Sequence, residues 1–231
     1  MYVHLKKDFT LKIIKINDNE YENIQIIKNA HNNWITKIIE LKNENIITFS
    51  RDYSFKIWKL SINNKYEEIY EFKDSNKLSD GLEIKDNEII LYSLYPESLV
   101  FYDLNKNEKI KIINNLKLNS GCSIRIIKLN DNEVAIAGNR KVYLIDINNY
   151  LILDEINSDC CNFCILKLSN NLFLIGDKNG TISQYKIENK KIIKESSKIK
   201  SHENEIFSMT ILNDMIISGG IRSNDIKIWK K

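Results

Sequence analysis

Two stretches of this chain carry the same phrase. Residues 51–60 read Arg-Asp-Tyr-Ser-Phe-Lys-Ile-Trp-Lys-Leu, and residues 222–230 read Arg-Ser-Asn-Asp-Ile-Lys-Ile-Trp-Lys. In each, a His precedes the Trp by 27 residues: His31 before Trp58, and His202 before Trp229. A unit that returns with its internal spacing intact is a structural repeat, which limits architecture more tightly than composition does. With Trp58 as a mark on the third strand of a unit, the equivalent positions are Ile14, Trp58, Tyr102, Ile145, Tyr185 and Trp229, separated by 44, 44, 43, 40 and 44 residues. The stretch from Asp8 to Ile16 is a near copy of Asp52 to Leu60, so the repeat extends over essentially the whole chain.

Between the marks, runs of Ile, Leu, Val, Tyr and Phe alternate with short polar turns such as Asn43-Glu44-Asn45, Asp86-Asn87, Asp131-Asn132, Asn170-Asn171 and Asn213-Asp214. No stretch sustains a 3.6-residue period, so the pattern predicts many short antiparallel strands. There are only 7 Gly and 1 Pro. Asn and Asp take their place in the turns, because both tolerate the left-handed backbone. Full four-stranded units are expected at about 34–73, 80–116, 121–157 and 161–199. Strands near 2–6, 9–16 and 22–29 precede them and lack an innermost strand. Strands near 205–212, 214–219 and 225–230 follow and lack an outermost one, for which Tyr2-Val3-His4-Leu5 is a candidate. The expected organisation is one domain, 1–231, with an incomplete first unit 1–30, units at about 31–73, 74–117, 118–158 and 159–200, and a last unit 201–231.

With 43% hydrophobic and 28% charged residues, the chain can bury a core. Its 34 basic and 31 acidic side chains leave a net charge of +3, which argues against a dedicated nucleic-acid site. No apolar run approaches the roughly 18–20 residues that span a bilayer. The four cysteines are Cys122, Cys160, Cys161 and Cys164. Without a secretory segment they read as reduced thiols in a cytoplasmic protein, with the nucleus as an alternative. Cys161 and Cys164 have metal-like spacing, but no second Cys/His pair completes a tetrahedral site, so they read as small buried strand residues. No metal and no cofactor is expected.

A period of 40–45 residues with four short strands resembles the WD40 repeat. The resemblance rests on His31 and His202 in the place of the family's Gly-His pair, on Thr48-Phe49-Ser50-Arg51-Asp52 and Ser218-Gly219-Gly220 at the end of the second strand, and on Trp58 and Trp229 in the place of its Trp-Asp pair. The Asp of that pair is replaced by Lys59 and Lys230, but Asp103 and Asp146 follow their own marks. The resemblance implies an all-β fold: a β-propeller of four-stranded antiparallel blades, about five to six of them, in an open or imperfectly closed ring or in a fragment of a seven-bladed one. It also implies that His31, Ser50 (with Thr48 as the alternative hydroxyl), Asp52 and Trp58 form a buried hydrogen-bonded chain, with His202 and Trp229 in a second copy. Ser218 lies 11 residues before Trp229, against 10 from Thr48 to Trp58, so Asp225 is not equivalent to Asp52 and the second chain is expected to be incomplete.

Seven residues before each mark lies the turn between second and third strands, at Lys7, Arg51, Tyr95, Gly138, Lys178 and Arg222. Family resemblance makes this turn a contact site for peptides, and Trp34 is placed at the same rim. Arg and Lys here suit an acidic or phosphorylated segment. The resulting expectation is a non-enzymatic scaffold or adaptor that binds protein or peptide. The alternatives are a substrate-receptor or regulatory subunit of an assembly such as a ubiquitin ligase or kinase, and an RNA-associated propeller. An enzyme working from a central channel would have to use Glu40, Asp80, Glu83 and Arg125, which are scattered. The chain also lacks phosphate-loop, His-Glu-x-x-His and Gly-x-Ser-x-Gly motifs.

Overall fold

The structure, a computed structural model, describes residues 2–5, 9–16, 20–73, 77–118, 123–220 and 225–230. Every regular element among them is a strand. The chain separates into two compact units, residues 1–112 and 113–231.

The first unit holds three sheets. A three-stranded sheet comprises β1 (Tyr2–Leu5), β2 (Leu11–Ile16) and β3 (Tyr21–Ile27). The next comprises β4 (Ile35–Glu40), β5 (Ile46–Ser50), β6 (Ser54–Leu60) and β7 (Tyr66–Lys73). The third comprises β8 (Leu78–Lys85), β9 (Glu88–Leu94), β10 (Glu97–Asp103) and β11 (Glu108–Asn114). The second unit continues with β12 (Arg125–Lys128), β13 (Glu133–Ala137), β14 (Lys141–Asp146) and β15 (Leu151–Asn157). Its next sheet comprises β16 (Asn162–Ser169), β17 (Leu172–Asp177), β18 (Thr181–Glu188) and β19 (Lys191–Lys200). It ends with a three-stranded sheet of β20 (Ile206–Leu212), β21 (Met215–Gly220) and β22 (Ile226–Lys230). Each sheet is a meander of sequential antiparallel strands.

The second strands read as continuous apolar runs, and all residues of β5 are buried. A strand buried on both faces needs no polar alternation. Within the first unit, Ile47, Phe49, Phe55 and Ile57 pack on Leu78, Ile89, Leu91 and Tyr102 of the following sheet. On the other face, Ile46, Trp58 and Tyr66 pack on Leu11 and Ile13 of the preceding one. Within the second unit, Ala135, Val142 and Leu144 pack on Phe173, Ile175 and Tyr185, and Leu174 and Ile182 pack on Ile206 and Ile216. The fourth strands are more exposed, as in β11 and β15.

Two details went unread in the sequence. A β-bulge interrupts third-to-fourth-strand pairing next to the mark in four sheets, at Ile13/Ile14, Ile57/Trp58, Leu144/Ile145 and between Ser183 and Tyr185. A bulge adds one unpaired residue and local twist, and hydrophobic spacing alone does not reveal it. Second, β1 does not serve the last sheet: Tyr2 pairs with Ile14 and Leu5 with Leu11, so the segment is the inner neighbour of β2. The repeat explains this, because β2 corresponds to β6 and β1 therefore to β5.

The turns take left-handed conformations at Asn29, Asn64, Asn87, Asn107, Asn189, Asn213 and Asp214, all with positive φ. Gly180 has a φ of 76°, and a Cβ there would lie 2.0 Å from the His202 carbonyl oxygen. Its own carbonyl accepts the Ser201 and His202 amides at 2.9 and 3.0 Å, so the turn is locked to the next sheet. Gly180→Ala is expected to lower unfolding free energy by at least about 2 kcal/mol in urea titration. Gly219→Ala, where a Cβ meets nothing within 4 Å, is expected to stay within about 0.5 kcal/mol of the parent.

Candidate functional site

The β5–β6 turn brings His31, from the segment before β4, against Thr48, Asp52, Ser54 and Trp58. Trp58 Nε1–H, which can only donate, gives its proton to Thr48 Oγ1 at 2.9 Å. The Thr48 hydroxyl also lies 2.7 Å from His31 Nε2, and His31 Nδ1 lies 2.9 Å from Asp52 Oδ2. Ser54 Oγ lies 3.1 Å from the same Nδ1 and donates to Asp52 Oδ1 at 2.6 Å. The Asn32 amide donates to Asp52 Oδ2 at 2.8 Å. Ser50, the hydroxyl expected here, is outside the chain. It donates to the Asn33 carbonyl and accepts the Asp52 amide. Register is the reason: Thr48 sits opposite Lys56 in the β5–β6 ladder, whereas Ser50 lies past the last paired residue, Phe49. Ser54 was not foreseen, although its place two residues after Asp52 is the available signal.

The last sheet repeats the arrangement in full. Trp229 Nε1–H donates to Ser218 Oγ at 2.9 Å, Ser218 lies 2.8 Å from His202 Nε2, and His202 Nδ1 lies 2.8 Å from Asp225 Oδ1. The expected incompleteness is therefore corrected. Asp225 occupies the sequence position of Ser54, four before its Trp, but fills the role of Asp52.

Burial favours the protonated form of Asp52. The hydrogen bonds from His31, Ser54 and the Asn32 amide outweigh it and hold the carboxyl far below the ordinary carboxylate range. Both nitrogens of each imidazole are engaged within these chains, and both rings are buried.

Other candidate chemistry is dispersed. Asp80 is buried beside Lys37 Nζ at 3.3 Å and accepts the Gly81 amide. Glu83 accepts the Lys42 and Asn87 amides, and Arg125 donates to the Ile124 carbonyl. Cys160 and Cys164 are free and buried, and burial pushes the Cys164 thiol up to about 12. Cys161 is disulfide-bonded, in contrast to the expected reduced thiols. Among the described residues, no three His, Cys, Asp or Glu side chains cluster in a way that could hold a metal ion. No described helix is long and apolar enough to cross a membrane.

The rim is visible in part, since Lys7 and Arg222 lie outside the described residues. Arg51 and Trp34 are both exposed, and the guanidinium lies over the indole ring, 5.0 Å from its centroid. The Arg51 amide donates to the Trp34 carbonyl at 2.9 Å, which ties the turn to the start of β4. The same bond recurs from Lys178 to Cys161 and from Leu94 to Lys77, at 2.9 Å each. Lys178 is exposed at its turn, as is Tyr95, which precedes a cis Pro96 one residue after Leu94. The Arg51–Trp34 stack was not anticipated. Only the backbone bond shows that residues 17 positions apart share one strand end.

No protein-family model matches the sequence, and no curated protein matches it. Among solved structures, the chain is similar to one in the crystal structure of a mitotic checkpoint complex, with a TM-score of 0.82 and 8% identity over 99% of this chain and 70% of that one. It is also similar to the computationally designed Ika8 protein, with a TM-score of 0.71 and 13% identity over 99% of this chain and 67% of that one. At such identities the likeness is one of fold. With the successive four-stranded meanders, it makes the chain an all-β protein of the β-propeller class.

Thr48→Val removes the hydroxyl that serves both Trp58 and His31. It is expected to cost about 2–3 kcal/mol in urea unfolding, whereas Ser50→Ala should cost about 1 kcal/mol or less. The acid limb reports on Asp52. Its folded pKa is depressed, so its stabilisation is present above the unfolded value near 4 and is lost as pH falls toward the folded one. Asp52→Asn is therefore expected to flatten the fall in melting temperature below about pH 4, measured by circular dichroism.

Proposed function

We propose that this chain is a WD40-type propeller that serves as a non-enzymatic protein-interaction scaffold. Its strand-end rim takes an acidic or phosphorylated segment of a partner. The observation that carries this reading is the exposed Arg51 guanidinium stacked on the exposed Trp34 ring, next to a hydrogen-bonded chain that consumes the polar groups of His31, Thr48 and Trp58. The stack leaves the edge of the guanidinium available for a carboxylate or phosphate, which it can meet with two parallel hydrogen bonds. The ring beside it supplies rigid apolar area, and Trp and Arg are the residues that most often dominate interface energetics. In the first unit, Tyr95 stands exposed at the corresponding turn of the next sheet. In the second unit, Lys178 is exposed at the corresponding turn of its own sheet. The engaged imidazoles and the high thiol pKa of Cys164 support a binding role over catalysis. The similar chain from the mitotic checkpoint complex belongs to a protein assembly, which accords with this role without specifying a partner.

The test is a peptide array of Glu-rich and phosphoserine-bearing sequences probed with the purified chain. Arg51→Glu and Trp34→Ala are each expected to weaken retained binding by about tenfold or more, and binding should fall as salt rises. Undiminished retention by both variants would remove this face from consideration.

A further inference from the structure

The phrase Lys-Ile-Trp-Lys occurs twice, at 56–59 in β6 and 227–230 in β22. Only the first copy has an outer strand beside it. β6 pairs with β7, whereas no described strand pairs with the outer edge of β22. The face differs as well. Phe55 and Ile57, packed on the following sheet, are 0% and 7% exposed, while their equivalents Ile226 and Ile228 are 75% and 61% exposed. An edge with no paired strand is a ready template for another strand.

The β7 strand shows what that edge accepts. In the β6–β7 ladder, Phe72 faces Phe55, Glu71 faces Lys56, Tyr70 faces Ile57, Glu67 faces Lys59 and Tyr66 faces Leu60. Lys56 Nζ lies 2.8 Å from Glu68 and 3.7 Å from Glu71. Tyr66 is buried against Leu11, Ile13, Ile46 and Trp58, with Ile27 at the margin.

The second unit contains the same walls without the tyrosine. A cleft of about 320 Å³ is lined by Leu174, Ile182, Gln184, Ile199, Ile216 and Trp229. Ile182 and Gln184 stand three and one residues before their mark, as Leu11 and Ile13 do before theirs. Ile199 pairs with Ile182 as Ile27 pairs with Leu11, and Ile216 pairs with Trp229 as Ile46 pairs with Trp58. Open edge and cleft therefore coincide, and both match the surroundings of β7.

We propose that β22 is a docking edge for an extended segment of a partner protein. The segment adds as a fourth antiparallel strand, places acidic residues opposite Lys227 and Lys230, and seats an aromatic side chain in the cleft beside Trp229. Main-chain pairing supplies affinity and the alternate side chains supply selectivity. The chemistry of the segment follows from β7, where Glu71 faces Lys56, the equivalent of Lys227, and Glu67 faces Lys59, the equivalent of Lys230. The site lies in the second unit and does not rest on the rim reading.

The test uses the full chain and a fluorescein-labelled peptide with the β7 sequence, Lys-Tyr-Glu-Glu-Ile-Tyr-Glu-Phe-Lys. Fluorescence anisotropy should show saturable binding. Replacing the first tyrosine of the peptide by alanine, or Lys227→Glu in the protein, should each weaken it by about tenfold. Changing the third glutamate of the peptide to lysine should restore affinity for the Lys227→Glu protein. A photoreactive phenylalanine analogue in place of the first tyrosine should cross-link near Ile216 and Trp229. The proposal is overturned by absent or charge-insensitive binding, by cross-links to β6 (which would mean exchange with β7), or by sensitivity to Arg51→Glu. It is also overturned if sedimentation shows the chain alone to be a dimer that covers Trp229 with a second copy.

Discussion

A four-stranded sheet whose middle strands are apolar on both faces cannot stand in water alone. That constraint governs this chain. Ile46, Ile47, Thr48 and Phe49 are consecutive and all buried, which is achievable only if one sheet lies in front of β5 and another behind it. Each sheet therefore depends on its neighbours, and positions are interchangeable between repeats only where the neighbours are equivalent. The close approach at Gly81, where a Cβ would sit 2.6 Å from the Phe49 ring, shows how tightly the faces meet.

The buried polar chain is best understood against that apolar background. Thr48 and Trp58 place an N–H and a hydroxyl inside a sheet-to-sheet contact, where an unpaired polar atom costs about 1–3 kcal/mol. His31 bridges them to Asp52, whose carboxylate gathers the Asn32 amide and the Ser54 hydroxyl. The result ties the segment before the first strand to the turn between second and third. A His beside an Asp and a hydroxyl invites a catalytic reading. Thr48 and His31 are 0% and 2% exposed, so neither the hydroxyl nor the imidazole is open to solvent in this arrangement.

The repeat was legible because four of its six marks are deeply buried. Trp58, Tyr102, Ile145 and Tyr185 are 3%, 1%, 0% and 1% exposed, so spacing between large apolar residues reports directly on strand position. Thr48 and Ser50 were harder to separate, since both are buried hydroxyls two residues apart on the same side of a strand. Only the ladder shows which one faces the indole. Asp225 was misjudged for a related reason. Counting residues assumes turns of equal length, whereas a carboxylate need only reach Nδ1, and it can do so from a different position when the turn changes. The bulges beside four of the marks and the Arg51–Trp34 stack are likewise products of pairing between segments, which one sequence does not encode as a period.

A repeat also makes its own irregularities interpretable. Inside the chain, each Lys-Ile-Trp-Lys-type strand is an interior element with an outer neighbour. At β22 the same residues lie at an edge, and Ile226 and Ile228, whose equivalents in β6 pack on the following sheet, are exposed. Edge strands of natural sheets commonly carry Pro, inward-pointing charge or a covering loop that discourages pairing. β22 has lysines at 227 and 230 but retains Ile226, Ile228 and Trp229, the full apolar complement of an interior strand. Lysine discourages a basic or neutral strand and favours an acidic one, so the same two charges that protect this edge from indiscriminate pairing also select what can pair with it.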